Sequence, residues 1–119
     1  MLEEHGTARD YKDGESIFRE GERGTEMYVI SSGKVKIFRD QKGQEVTFAI
    51  LEPGDFFGEM ALFSNNVHSS SAQAIGKTEL IAVDKKTFMS LIKEPVVWRV
   101  METMAARLRK VDDALENLT

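Results

Sequence analysis

The sequence predicts a mainly β domain, an antiparallel β-roll of the jelly-roll kind, followed by a short helix and a long C-terminal helix. Three observations predict it. Gly14, Gly24, Gly33, Gly43 and Gly54 fall at intervals of 10, 9, 10 and 11 residues, the turn spacing of an all-β sandwich or barrel. The runs between the later glycines are short, rich in β-branched residues and partly alternating. Beyond residue 84 the apolar period lengthens to that of a helix.

The elements follow in order. Glu26–Ser32 (EMYVISS) reads as a strand. Lys34–Arg39 (KVKIFR) alternates, which turns Val35 and Ile37 inward and Lys34 and Lys36 outward. Glu45–Glu52 (EVTFAILE) places Val46, Phe48 and Ile50 on one face. Asp40 to Gly43 forms the hairpin loop between these two runs. Asp13-Gly14 and Pro53-Gly54-Asp55 mark further turns. Glu79–Val83 is the last strand. Asp84 then caps a short helix over about residues 85–93, with Val83 and Phe88 at the hydrophobic-staple positions. Pro95 opens a second helix, about 95–118, roughly 36 Å long at 1.5 Å per residue. The whole chain, 1–119, reads as one domain, with the β-roll over about residues 7–84.

Composition excludes several function classes. At 119 residues and 41% hydrophobic, the chain can bury one core. Twenty acidic against 16 basic residues give a net charge of −4, which argues against a nucleic-acid surface. With no cysteine, disulfides, thiolate chemistry and the usual zinc sites drop out. No apolar run approaches the length of a membrane span. The start, MLEEHGTARD, lacks the basic and apolar regions of a secretory signal. A cytoplasmic setting is the expectation.

The informative segment is residues 53–74, PGDFFGEMALFSNNVHSSSAQA. Phe57-Gly58-Glu59 followed by Met60-Ala61-Leu62 reads as a glycine turn opening a very short helix. Such a turn aims backbone N–H groups at one point, which suits an anion. Glycine also clears space for close approach. Glu59 adds a carboxylate acceptor, so the pair suits a sugar hydroxyl beside a phosphate. The bland alternative is a structural turn carrying a surface glutamate.

From Tyr11 to Leu118, about nine tenths of the chain, the sequence resembles the cyclic nucleotide-binding domains of the catabolite activator protein type. The resemblance rests on Gly14-Glu15, on Phe18-Arg19-Glu20-Gly21 and on Met27-Tyr28-Val29-Ile30. It continues through Gly33, Gly54-Asp55-Phe56-Phe57-Gly58-Glu59 and Arg107-Leu108-Arg109. It implies a regulatory sensor rather than an enzyme, with cyclic AMP as its ligand and no metal. The implied ligand set begins at Phe57 and Gly58, with the amides near Met60, Ala61 and Leu62 holding the cyclic phosphate. Glu59 would accept from the ribose 2′-hydroxyl. Ser69 would donate to a phosphate oxygen or reach the base. The C-terminal helix would cover the base, with Arg107 near Glu59. Asp112 would meet the adenine amine, or else lie with Asp113 on a solvated helix face.

One departure matters. The family pattern places Pro-Arg after the short helix, and that arginine pairs with the phosphate. Here those positions are Val67 and His68, and no lysine or arginine occurs between Lys42 and Lys77. Loss of one charge-assisted hydrogen bond implies roughly ten- to hundredfold weaker binding. Protonated His68 substitutes in part, since an imidazole ordinarily titrates near pH ~6.5. On the alternative reading, His68 is an ordinary strand-edge histidine in a degenerate pocket.

Other constellations carry less. His68 and Ser69 are sequence neighbours, so on a strand they face apart and do not form a nucleophile pair. The only other histidine is His5, which leaves no histidine pair for a metal. The second helix shows a narrow apolar stripe through Val97, Met101, Met104, Leu108, Val111, Leu115 and Leu118, at alternating spacings of 4 and 3. That is a heptad seam, read as a homodimer interface or, alternatively, as packing within one chain. The resemblance implies the dimer. Three functions compete: a cyclic nucleotide sensor signalling through its C-terminal helix, a ligand-free dimerisation module, and the sensor fragment of a longer transcription regulator.

Overall fold

The computed structural model describes residues 5–63, 67–92, 95–97 and 99–104. Six antiparallel strands make one curled sheet. They are β1 (Thr7–Tyr11), β2 (Ser16–Phe18), β3 (Glu26–Gln41), β4 (Gln44–Leu51), β5 (Phe56–Phe57) and β6 (Ser71–Asp84). The spatial order is β1-β6-β3-β4, with β2 added to β6 and β5 to β3. Long strands β3 and β6 therefore form the spine, and the short strands close over it.

The two runs expected on either side of Gly33 are one strand. Gly33 does not end it but bulges it, at φ 85°, where the β3–β6 register slips between Ile30 and Lys34. The hairpin from β3 to β4 is tighter than the four-residue loop expected. Gln41 pairs with Gln44 across Lys42 and Gly43, both at positive φ, as a two-residue hairpin of the primed type requires. The last strand is also longer than expected and starts at Ser71.

Strand β4 corrects a second expectation. A bulge lets β3 skip Phe48, because Ile37 pairs with Ala49 and Phe38 with Thr47. Phe48 and Ile50 end up about half exposed, while Ala49 and Leu51 are partly buried. The bulge thus splits the expected face, leaving Val46 partly buried and Phe48 and Ile50 exposed.

Helix α1 (Lys85–Leu91) is capped by Asp84, whose Oδ1 accepts from the Thr87 amide at 2.7 Å. It ends at Leu91, two residues before the expected 93, and Ile92 after it is extended. Residues 95–97 and 99–104 are helical. The predicted continuation to 118, with Arg107 and Asp112, lies outside the described residues.

Two hydrophobic clusters hold the fold. One contains Phe18, Tyr28, Ile30, Val35, Phe57, Ala72, Leu80 and Ala82. The other contains Met27, Leu62, Phe63 and Val83, with Ile81, Phe88 and Met101 packed against it. Of the predicted staple pair, Val83 belongs to this second cluster and Phe88 packs against it.

Candidate functional site

The glycine turn sits between the two clusters. Gly58 adopts φ 76°, ψ 8° and opens a 3-10 turn over Glu59–Leu62. Only glycine holds that left-handed conformation without strain. A side chain there would also press on three rings, with its Cβ 3.2 Å from Phe18, 3.4 Å from Tyr28 and 3.6 Å from His68.

Within the turn, the Ala61 amide donates to the Gly58 carbonyl at 3.2 Å and the Phe63 amide to the Met60 carbonyl at 3.2 Å. The amides of Glu59 and Met60 precede the first of these bonds, at the start of the turn. Ala61 and Leu62 are fully buried beneath.

A cavity of about 200 Å³ opens beside the turn, lined by Phe18, Ile37, Leu51, Phe56, Phe57, Gly58, Glu59, His68, Ser69 and Ser70. Five of the sequence-predicted site residues converge on it: Phe57, Gly58, Glu59, His68 and Ser69. Met60 reaches its edge through a 3.7 Å contact from the Ser69 hydroxyl to its sulfur. Burial pushes the Glu59 carboxyl above the usual carboxylate range, partly offset by a hydrogen bond from its own backbone amide. Sequence reasoning assigned no role to Phe18, Ile37, Leu51, Phe56 and Ser70. Ile37 was legible as an inward residue of an alternating strand, and Phe18 lies within a family motif.

His68 is not at a strand edge. It is 5% exposed, in an irregular segment gripped from both sides. Its amide donates to the Glu22 carbonyl, and its carbonyl accepts from the Gly21 amide, both at 3.0 Å. Val67 forms a bridge with Arg23. The imidazole stacks on Phe18 with centroids 3.6 Å apart and planes 4° from parallel. Gly24 packs on the imidazole so closely that a Cβ would overlap it. His68 and Phe18 also line a second hollow of about 190 Å³, whose walls include Glu22, Arg23, Thr25 and Glu26.

The fold also supplies a cation that the local sequence lacks. Arg39, on β3, is 7% exposed and donates from Nε to the Ser69 carbonyl at 2.7 Å. Sequence reasoning missed it because 30 residues separate the partners.

Chemically, the site combines aromatic and aliphatic walls, a carboxylate acceptor, and amides at the start of a turn. Such a set can enclose a flat ring, accept from a hydroxyl and donate to an anion. Among the described residues no group of histidines and carboxylates is placed to hold a metal.

Known proteins resemble this chain in sequence and fold. A family model described as the cyclic nucleotide-binding domain matches residues 8–94. The cyclic AMP receptor protein of Thermus thermophilus is 40% identical over 114 residues, covering 93% of this chain and 53% of the relative. The chain spans about half the length of the curated relatives it matches most fully. The crystal structure of the Thermus thermophilus catabolite activator protein superposes with a TM-score of 0.77 at 38% identity, covering 98% of this chain and 56% of that one. The EAL enzyme Bd1971, in its cAMP and cyclic-di-GMP bound form, superposes with a TM-score of 0.80 at 31% identity, covering 91% of this chain and 29% of that one. By its fold, by the glycine turn at the mouth of its cavity and by these matches, this chain belongs to the cyclic nucleotide-binding domain family.

Proposed function

We propose that this chain binds cyclic AMP in the cavity beside Glu59 and passes the binding event to its C-terminal helix. The observation that carries this reading is the position of the 3-10 turn. Its first residue, Glu59, lines the cavity. Its last, Leu62, belongs to the cluster against which Phe88 and Met101 pack. A ligand that pulls on the turn's amides therefore acts on a four-residue turn whose last residue lies in the cluster that the helices pack on. The ligand shifts the helix by favouring the arrangement that fits both.

In this reading Gly58 and the amides at the start of the turn hold the cyclic phosphate, and Glu59 accepts from the ribose 2′-hydroxyl. His68 and Ser69 close the phosphate end. Arg107 and Asp112 complete the base side from the C-terminal helix. Signalling passes through a homodimer. Val97, Val100 and Met104 are exposed, which leaves apolar helix surface for a second copy. The chain acts as a regulatory module in the cytoplasm, and no chemical step is assigned to it. Among the described residues no helix is long and apolar enough to cross a membrane.

Calorimetric titration with cyclic AMP, cyclic GMP and AMP tests the proposal, with the emission of Trp98, the only tryptophan, as the second readout. Cyclic AMP should bind, stabilise the chain and shift Trp98 emission, while AMP should do none of these. A second reading, a ligand-free interaction module, is favoured by one observation: His68 stands where the family places arginine. Absence of binding by either cyclic nucleotide would establish it.

A further inference from the structure

The cavity's anion end is short of positive charge along the chain yet not in space. Between Lys42 and Lys77 no lysine or arginine occurs. Arg39 enters from the strand on the far side. Val35, Ile37 and Arg39 alternate along β3, whose pairing with β6 is regular from Lys34 to Phe38. Ile37 lines the cavity, and so do Ser69 and Ser70. Arg39 thus stands one step beyond the lining on both counts, two positions after Ile37 and 2.7 Å from the Ser69 carbonyl.

The Ser69 peptide and the Phe48 ring both help to hold the guanidinium there. Its Nε–H donates to the Ser69 carbonyl. Its outer side is covered by Phe48, with Cζ 5.5 Å from the ring centroid, within cation–π range. Phe48 is the residue that the β4 bulge leaves over, and it is 52% exposed while Arg39 is 7% exposed. A bulge that re-aims one side chain is a common device next to a binding site. Here the bulged residue screens a cation from water.

We propose that Arg39 supplies the positive charge of the anion end, acting as a positioning residue through the Ser69 peptide that it holds. The proposal deepens the reading of the cavity as a cyclic nucleotide site and rests on it. A charged donor on the Ser69 carbonyl polarises that peptide and makes the Ser70 amide, on its other side, a stronger donor. It also fixes the residue that follows His68. With water displaced by ligand, a nearby charge interacts more strongly with a phosphate than it would in bulk solvent. The ligand class is a singly charged phosphodiester.

The test uses the full chain with Arg39→Gln and Arg39→Lys. Melting temperatures are recorded without ligand and with inorganic phosphate, and cyclic AMP is titrated into each. We expect Arg39→Gln to bind cyclic AMP about tenfold or more weakly, the order of one charge-assisted hydrogen bond. Arg39→Lys, which keeps the charge, should stay within about threefold of the parent, a rescue that loss of packing alone would not give. Phosphate should stabilise the parent but not Arg39→Gln. Equal cyclic AMP affinity in parent and Arg39→Gln would overturn the inference and leave the cyclic AMP reading intact. No cyclic nucleotide binding, with phosphate stabilisation that still depends on Arg39, would overturn that reading and support the charge. Failure of both probes on the parent would overturn both. Should Arg39→Gln not fold, Arg39→Lys decides: a tenfold loss overturns a role based on charge, and affinity near the parent's supports it.

Discussion

The two hydrophobic clusters of this domain are built from different materials, and the 3-10 turn lies between them. On the cavity side three aromatic rings in mutual contact sit among Ile30, Val35, Ala72, Leu80 and Ala82. Phe18, Tyr28 and Phe57 stack or tilt against one another with centroids 5.3–5.9 Å apart, and His68 lies flat on Phe18. On the helix side it mixes Met27, Leu62, Phe63 and Val83 with Phe88 and Met101. Aromatic rings in contact have few rotamers and a preferred geometry. Methionine and leucine repack at little cost. The ligand face is therefore a shape held fixed, while the helix face is a packing that can be re-made when the helix shifts. Such a division suits a sensor, whose cavity must fit before binding and whose output element must move after it.

Breaking the aromatic side should have the largest effect. Phe18 touches three other rings and lines both hollows. Phe18→Ala should cost about 3–5 kcal/mol, the usual loss for a buried aromatic, and should release His68 from its slot. Urea unfolding of the variant checks the first claim, and the imidazole resonances of His68 check the second. A cost under about 1 kcal/mol would show that the stack is not what holds this face.

The helix side should forgive a change of shape. Leu62 is fully buried, yet Leu62→Met keeps the volume and adds freedom to a cluster already rich in methionine. It should cost under about 1.5 kcal/mol and leave cyclic AMP affinity within about threefold. A loss as large as that of Phe18→Ala would mean that the two clusters are equally rigid, and the proposed division of labour would fail.

These clusters show how much of the molecule was legible in the sequence. Features that depend on neighbours along the chain could be read directly. They include the turns at Gly14, Gly43 and Gly54, the Asp84 cap, and the run Phe57-Gly58-Glu59. Features that depend on register could not. One extra residue at Phe48 split the face expected to hold Val46, Phe48 and Ile50 together, and nothing in EVTFAILE signals where β4 bulges. Long-range partners were equally hidden. His68 meets Phe18 across 50 residues, and Arg39 meets Ser69 across 30. A charge count along the pocket segment therefore found no cation, although the fold delivers one from another strand.

The smallest expected effect on stability comes from the residue between the clusters, and it separates fit from fold. Glu59 lines the cavity, and burial raises its pKa above the usual carboxylate range. A group whose folded-state pKa is raised gives its stability below the unfolded value, near pH ~4.3, and loses it as pH rises through the folded value. At neutral pH the ionised Glu59 is thus a cost to the free domain. Glu59→Gln removes the charge and keeps the shape, so the free melting temperature should be unchanged or raised. Ligand binding runs the opposite way. A ribose hydroxyl donates to the ionised carboxylate, so cyclic AMP affinity should weaken as pH falls from neutral into the acid range and Glu59 takes up its proton earlier than an ordinary carboxylate. Glu59→Gln should bind about tenfold or more weakly and should lose that part of the pH dependence. Calorimetry across this range with both proteins tests the linkage. A variant that melts lower without ligand, yet binds with the parent's affinity and pH profile, would assign Glu59 to the architecture of the turn and remove it from the ligand.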